Sequence, residues 1–155
     1  MVTLHRVSDV DDLISQAALK FVDTVARIQA AGGGLHHDGV ARVVLTGGGA
    51  GIGVLHELAR LEFAAQQQGE EFPAHRIDWS RVHVFFGDER NVPVSDADSN
   101  EGQARSALLN HVDIPDQNIH GFDLGAVSME AAASAYEPEL KEFAPNGFDL
   151  HLLGM

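Results

Sequence analysis

One short stretch constrains this chain more than any other. Val40 to Leu45 (VARVVL) is an apolar run rich in β-branched residues, which reads as a strand buried on both faces. It leads directly into Thr46-Gly47-Gly48-Gly49-Ala50-Gly51, and a helical pattern follows from about Ile52 to Gln67. Such a strand needs cover above and below, so the unit calls for a layered α/β fold. Glycines let the backbone approach an anion closely, and the next helix N-terminus offers free N–H groups and a partial positive charge. The dinucleotide fingerprint needs Gly at relative positions 1, 3 and 6. Counted from Gly47 its last position is Ile52, and counted from Gly49 it is Val54. A phosphate-binding P-loop counted from Gly48 reaches Gly53 but needs Lys where Val54 stands. The segment is therefore neither motif. Three consecutive glycines exceed what a packing turn requires, which favours anion binding over packing alone.

The rest of the chain repeats the alternation. Val2 to Val7 reads as a weak strand. Ser8 is placed as the N-cap of a helix whose apolar positions recur from Leu13 to Ala30, with Gly32 to Gly34 as its stop. His36 to Asp38 read as loop and Gln66 to Pro73 as a polar loop. Val82 to Phe86 is a second buried strand, and a helix from Asn100 to Asn110 follows a cap at Asp98 or Ser99. Ile119 to Phe122 is a third strand, Ser128 to Phe143 a helix that Pro138 should kink or split, and Phe148 to Leu153 a fourth strand. The expected fold is a single α/β domain over residues 1–155. Its sheet is mostly parallel and flanked by helices in a Rossmann-like three-layer arrangement. Because Gly154-Met155 follow an apolar strand directly, the chain is expected to be the N-terminal portion of a longer domain, truncated at its C-terminus.

Charge and composition narrow the function. The 155 residues carry 23 Asp+Glu against 10 Lys+Arg, a formal charge of -13. A surface that negative repels phosphate backbones and anionic lipid, so neither nucleic acid nor membrane is an expected partner. A local pocket for a small anion remains compatible with it. Cys is absent, which removes disulfides, thiol nucleophiles and thiolate metal sites. No apolar run reaches the roughly 20 residues of a membrane span, and the N-terminus lacks the apolar core of a signal peptide. A cytoplasmic protein is the expectation.

The second chemical signal is Gly87-Asp88-Glu89-Arg90, at the C-terminal end of a buried strand, where α/β proteins place reactive groups. An Asp beside a fixed Arg stays ionised, and Arg can hold a phosphate or a developing oxyanion. Glu89, Ser99 and Asn100 are read as braces of this loop. The nine histidines include no HExxH and no pair at helical spacing. His36 and His37 are expected in solvent, and His83 and His151 packed in strands. Asp96, Asp98 and Asn100 open like a calcium loop, but Glu101 and Ala107 stand where that loop needs Gly and Glu. No metal site is expected, and without a GxSxG segment no α/β-hydrolase serine is supported.

Taken together, VVLTGGGAGIG (43–53), IDWSRVHVFFGDERNVP (77–93), DADSNEGQARSALLNHVDIP (96–115) and FDLHLLGM (148–155) resemble the 6-phosphogluconolactonases. These enzymes form a wider group with the glucosamine-6-phosphate deaminases. The resemblance implies hydrolysis of 6-phosphoglucono-δ-lactone to 6-phosphogluconate in the oxidative pentose phosphate pathway, without metal or organic cofactor. It implies that Thr46, Gly47, Gly48 and Gly49 bind substrate together with Asp88 and Arg90, and that Asp88 and Arg90 take part in catalysis. The general-base His of the family's GPxGHxxSLFP segment is expected beyond Met155. A sugar-phosphate isomerase or deaminase using Asp88 as base, and a non-catalytic sugar-phosphate-binding module, are the alternatives.

Overall fold

The computed structural model describes residues 1–68 and 77–154. The elements run α1 (Val10–Ala30), β1 (Ala41–Leu45), α2 (Gly48–Gln68), β2 (Val82–Phe86), α3 (Asn100–Ala107), β3 (Ile119–His120), α4 (Met129–Phe143) and β4 (Leu150–His151). The strands form one parallel sheet in the order β3-β2-β1-β4. The chain therefore moves outward from β1 to β3 and then returns to the other side of β1. The reversal between β1 and β4 is the switch point at which open α/β sheets bind ligands.

Strand alternation divides the core. Val43 and Leu45 of β1 and Val82, Val84 and Phe86 of β2 pack with Phe21, Val25, Leu55 and Leu58 from α1 and α2. The alternate residues Val44 and Phe85 face the other way, against Tyr136 of α4. The expected three layers are thus present, with helices α1, α2 and α3 on one side and α4 on the other. Each fully buried Leu or Phe in such a core contributes on the order of 2 kcal/mol of transfer free energy.

Several boundaries differ from the sequence reading, each for a physical reason. Val2 to Val7 form no strand: all six residues are exposed, so their weak alternation has no buried face to hold it in a sheet. Asp9 rather than Ser8 caps α1. Its side chain accepts the Asp12 N–H at 2.8 Å, while Ser8 donates its own N–H back to the Asp12 carboxylate at 3.0 Å. β3 and β4 are shorter than expected. α4 runs unbroken through Pro138, which lies on its exposed side, so the carbonyl that loses its partner there faces water. The expected polar loop to Pro73 lies outside the described residues from 69 onward.

The largest difference is at α2, which begins at Gly48 rather than Ile52. Gly48, Gly49, Ala50 and Gly51 form its first turn, and only Thr46 and Gly47 remain as connector. Gly48 makes the reversal with φ +81°, in the left-handed region that favours glycine. At Gly51 an added Cβ would come within 2.6 Å of the Thr46 carbonyl oxygen.

On the α4 side, His83 and His120 are packed in the layer between sheet and helix. His120, 1% exposed, lies 2.8 Å by its Nε2 from His83 Nδ1 and 2.5 Å by its Nδ1 from Glu139. Burial, reinforced by His120 and Arg42, pushes the His83 pKa down from 6.5 to about 4. The unfolded chain then takes up a proton below pH 6.5 that folded His83 refuses. Stability contributed by neutral His83 is full above pH 6.5 and falls as the pH drops toward 4. Allowing for its partial exposure, the loss is about 2 kcal/mol. Urea titrations at several pH values should show this slope in the native protein and a shallower one in His83→Phe. Equal slopes would contradict the assignment.

Candidate functional site

β1 and β2 pair in register from Ala41↔Val82 to Leu45↔Phe86, so both strands end at one level. The Gly87 N–H donates to the Leu45 carbonyl at 3.0 Å and closes the pairing. The turn after β1 and the turn after β2 therefore open side by side. Between them is a cavity of about 240 Å³ lined by Thr46, Gly47, Gly48, Asp88, Arg90, Asn100 and Gly154. Five of the six residues named from the sequence, Thr46, Gly47, Gly48, Asp88 and Arg90, meet in it. Gly49 does not line it and lies exposed on the first turn of α2.

The loop after β2 is held by its own glutamate. Glu89 Oε1 accepts the N–H of Arg90 at 2.8 Å and of Asn100 at 2.7 Å. Its Oε2 accepts the N–H of Glu101 at 2.9 Å and the Ser99 hydroxyl at 3.3 Å. Ser99 Oγ accepts the Gly102 N–H at 3.0 Å as the N-cap of α3. A carboxylate on the free N–H groups of a helix start is favourable both as a hydrogen-bond acceptor and against the helix dipole. Arg90 donates from Nη1 to the Asp98 carbonyl at 2.7 Å, which holds its guanidinium at the cavity, with no other side-chain acceptor among the described residues. Asp88 makes no hydrogen bond to Arg90 among the described residues. Its carbonyl and Oδ1 lie 3.2 and 3.4 Å from Asn100 Nδ2.

The helix N-termini differ in charge. α1 begins with Asp9, Asp11 and Asp12, and α3 receives Glu89 and carries Glu101. α2 has no acidic residue in its first turn. Among the described residues no carboxylate hydrogen-bonds its first turn, and its positive end opens at the cavity beside Asp88 and Arg90. Glu101 is buried near Glu89 and Asp123, and burial raises its pKa despite Arg105.

Two cavity residues were not assigned to substrate by the sequence reading. The sequence makes Asn100 a loop brace and gives Gly154 no role. The signal for Gly154 is its place just after β4, at the ligand-binding end of the sheet. No local signal marks Asn100, whose place depends on Gly47 across the gap. His151, expected to be packed, is exposed. His37 is exposed as expected, whereas His36 is half-buried and its Nε2 accepts the Asn146 N–H at 3.0 Å. Among the described residues no group of three His, Asp or Glu side chains could hold a metal ion, and no helix is long and apolar enough to cross a membrane.

An all-parallel sheet whose glycine turn after β1 and Asp/Arg turn after β2 open onto one cavity at the C-terminal ends of the strands defines an α/β protein with a candidate ligand site. Residues 8–155 match the family described as Glucosamine-6-phosphate isomerases/6-phosphogluconolactonase, and the chain belongs to that family. Among its relatives, a 6-phosphogluconolactonase of Mycobacterium leprae is 47% identical over 124 residues, covering 74% of this chain and 45% of that protein. One of Mycobacterium tuberculosis is 43% identical over 157 residues, covering 95% of this chain and 56% of that protein. The chain spans about half the length of the curated relatives it matches. The crystal structure of 6-phosphogluconolactonase from Thermotoga maritima superposes with a TM-score of 0.71 at 28% identity, over 92% of this chain and 55% of that one. A monomeric glucosamine-6-phosphate deaminase has the same fold, with a TM-score of 0.77 at 18% identity, over 99% of this chain and 55% of that one.

The carboxylate on α3 gives a direct test. Glu89→Ala removes the acceptor for three N–H groups and should destabilise the full-length protein by about 2 kcal/mol. Thermal unfolding should show the loss, and Glu89→Gln should recover part of it. An alanine variant that melts with the wild type would remove Glu89 from this role.

Proposed function

We propose that the protein hydrolyses 6-phosphoglucono-δ-lactone to 6-phosphogluconate, the lactonase step of the oxidative pentose phosphate pathway. The observation that carries this reading is the cavity in which the uncompensated N-terminus of α2, the Arg90 guanidinium and the Asp88 carboxylate meet. A phosphorylated lactone presents anionic oxygens, an ester carbonyl and ring hydroxyls, and the cavity offers a counterpart to each. The backbone around Gly47 and Gly48 at the start of α2 suits anionic oxygens. Arg90 suits the phosphate or the oxyanion formed at the carbonyl. Asp88, not engaged by Arg90, is available to accept from a hydroxyl.

The reaction asks little of the protein. Water adds to the lactone carbonyl and gives a tetrahedral oxyanion. Its collapse breaks the ring C–O bond, and the leaving alkoxide takes a proton to become the hydroxyl of the open acid. A base of near-neutral pKa accelerates the first step, a cation or N–H donors stabilise the oxyanion, and the phosphate fixes orientation. No step requires a metal or an organic cofactor. The family resemblance assigns the base to a His beyond Met155, and none of the nine histidines here is given that role. On this reading the enzyme works in the cytoplasm on a small sugar phosphate.

The test is catalytic. The full-length protein should hydrolyse the lactone well above its spontaneous rate and leave glucosamine 6-phosphate unchanged; the opposite preference would establish the deaminase alternative. Arg90→Ala should cost about 2–4 kcal/mol of activation free energy, or roughly 30- to 1000-fold in rate. Arg90→Lys should recover only part, because an ammonium cannot make the bidentate contact. A folded alanine variant with near-normal turnover would exclude Arg90 from the chemistry.

A further inference from the structure

Asn100 is the first residue of α3 and is 6% exposed, yet its side chain forms part of the cavity wall. Its Nδ2 is directed at the carbonyl and Oδ1 of Asp88, at 3.2 and 3.4 Å. Both are acceptors, so the orientation of the carboxamide follows from chemistry: nitrogen toward Asp88, oxygen away. Oδ1 is thereby turned toward Gly47, where an added Cβ would lie 2.4 Å from it. Among the described residues nothing donates a hydrogen bond to Oδ1. The oxygen itself is not among the fully buried unpaired atoms, so in the free protein it meets solvent at the cavity, and a ligand that displaces that water has to supply the donor. Asn100 cannot swing away to find a partner, because its own N–H is held by Glu89 and its amide is packed against Gly47. An acceptor without a donor, fixed in a cavity wall beside a carboxylate, is the counterpart of a ligand hydroxyl.

We propose that Asn100 Oδ1 accepts a hydrogen bond from a substrate hydroxyl and, together with Asp88, makes the cavity read the polyol part of a sugar phosphate rather than its phosphate alone. Asp88 and Asn100 present two neighbouring acceptors to the ligand. A ligand that covers Oδ1 without the matching hydroxyl strips it of water and leaves it unpaired, which is the condition under which a polar site discriminates most strongly. Gly47 serves the same function from the opposite side, since any side chain there would displace the amide. The choice of ligand rests on the lactonase reading; the role of Asn100 rests on the geometry.

The experiment is a binding cycle by calorimetry on the full-length protein. Wild type and Asn100→Ala are titrated with 6-phosphogluconate, with its 2-, 3- and 4-deoxy analogues and with inorganic phosphate. Wild type should bind one deoxy analogue about tenfold more weakly than the parent acid, and Asn100→Ala should lose about tenfold for the parent acid. The same variant should lose no more than about twofold for that analogue and for phosphate, because the bond is already absent in both. Equal losses for every ligand would mark Asn100 as a strut between two turns and overturn the proposal. Should the variant not fold, the wild-type panel decides, and indifference to every deoxy analogue overturns it. If wild type binds glucosamine 6-phosphate but not 6-phosphogluconate, the lactonase reading fails, and the same cycle on deoxy forms of the amino sugar tests Asn100. If it binds no sugar phosphate, both readings fall.

Discussion

The site depends on the register of β1 against β2. Leu45 pairs with Phe86, so the two central strands stop together and the next residues leave the sheet from the same level. A shift of one residue would move Asp88 by about 3.3 Å along the strand and reverse the facing of every side chain on it. His83 and Phe85 would turn toward α1 and α2, and Val84 and Phe86 would leave that core. The register is therefore enforced by burial across five paired positions. The two turns inherit their alignment from it, and the cavity between them needs no contact of its own to hold that alignment.

Electrostatics then distinguishes the helix starts. The carboxylates of Asp9 and Glu89 satisfy α1 and α3 from within the protein. α2 receives none. In a chain of formal charge -13, long-range potential opposes the approach of an anion, so attraction has to be local. Backbone N–H groups and one tethered arginine supply it over a few ångströms, a range that salt screens little. The acidic surface and an anion-binding cavity are thus compatible, because they act at different distances.

Glu89 joins these two themes. Its carboxylate bonds to the loop after β2 and to the first turn of α3, which makes them one unit. The backbone of Asn100 is held by that carboxylate, and the side chain of Asn100 in turn reaches Asp88 and the surface of Gly47. Three segments distant in sequence thereby share one small wall. The Asp98 carbonyl, just before the α3 cap, fixes Arg90 on the other side of the same opening.

Much of this was legible in the chain. β2 could be read residue for residue because Val82 to Phe86 are apolar and strand-forming, and α1 and α4 because helical periodicity is a local property. The start of α2 could not, since glycine disfavours helix by about 1 kcal/mol per residue and only the approach of Gly51 to the Thr46 carbonyl accounts for its place. Val2 to Val7 went the other way, alternating weakly without a neighbour to pair with. By itself the sequence determined that a glycine turn and an Asp/Arg turn each follow a buried strand, because strand, turn and helix preferences act over a few residues. Only the tertiary structure decided that Asn100 stands in the cavity wall with an acceptor free among the described residues, that Gly49 stands outside it, and that Glu89 reaches across to the start of α3 while the start of α2 opens at the cavity. Those outcomes depend on strand register and helix docking, which bring together groups that no local pattern relates.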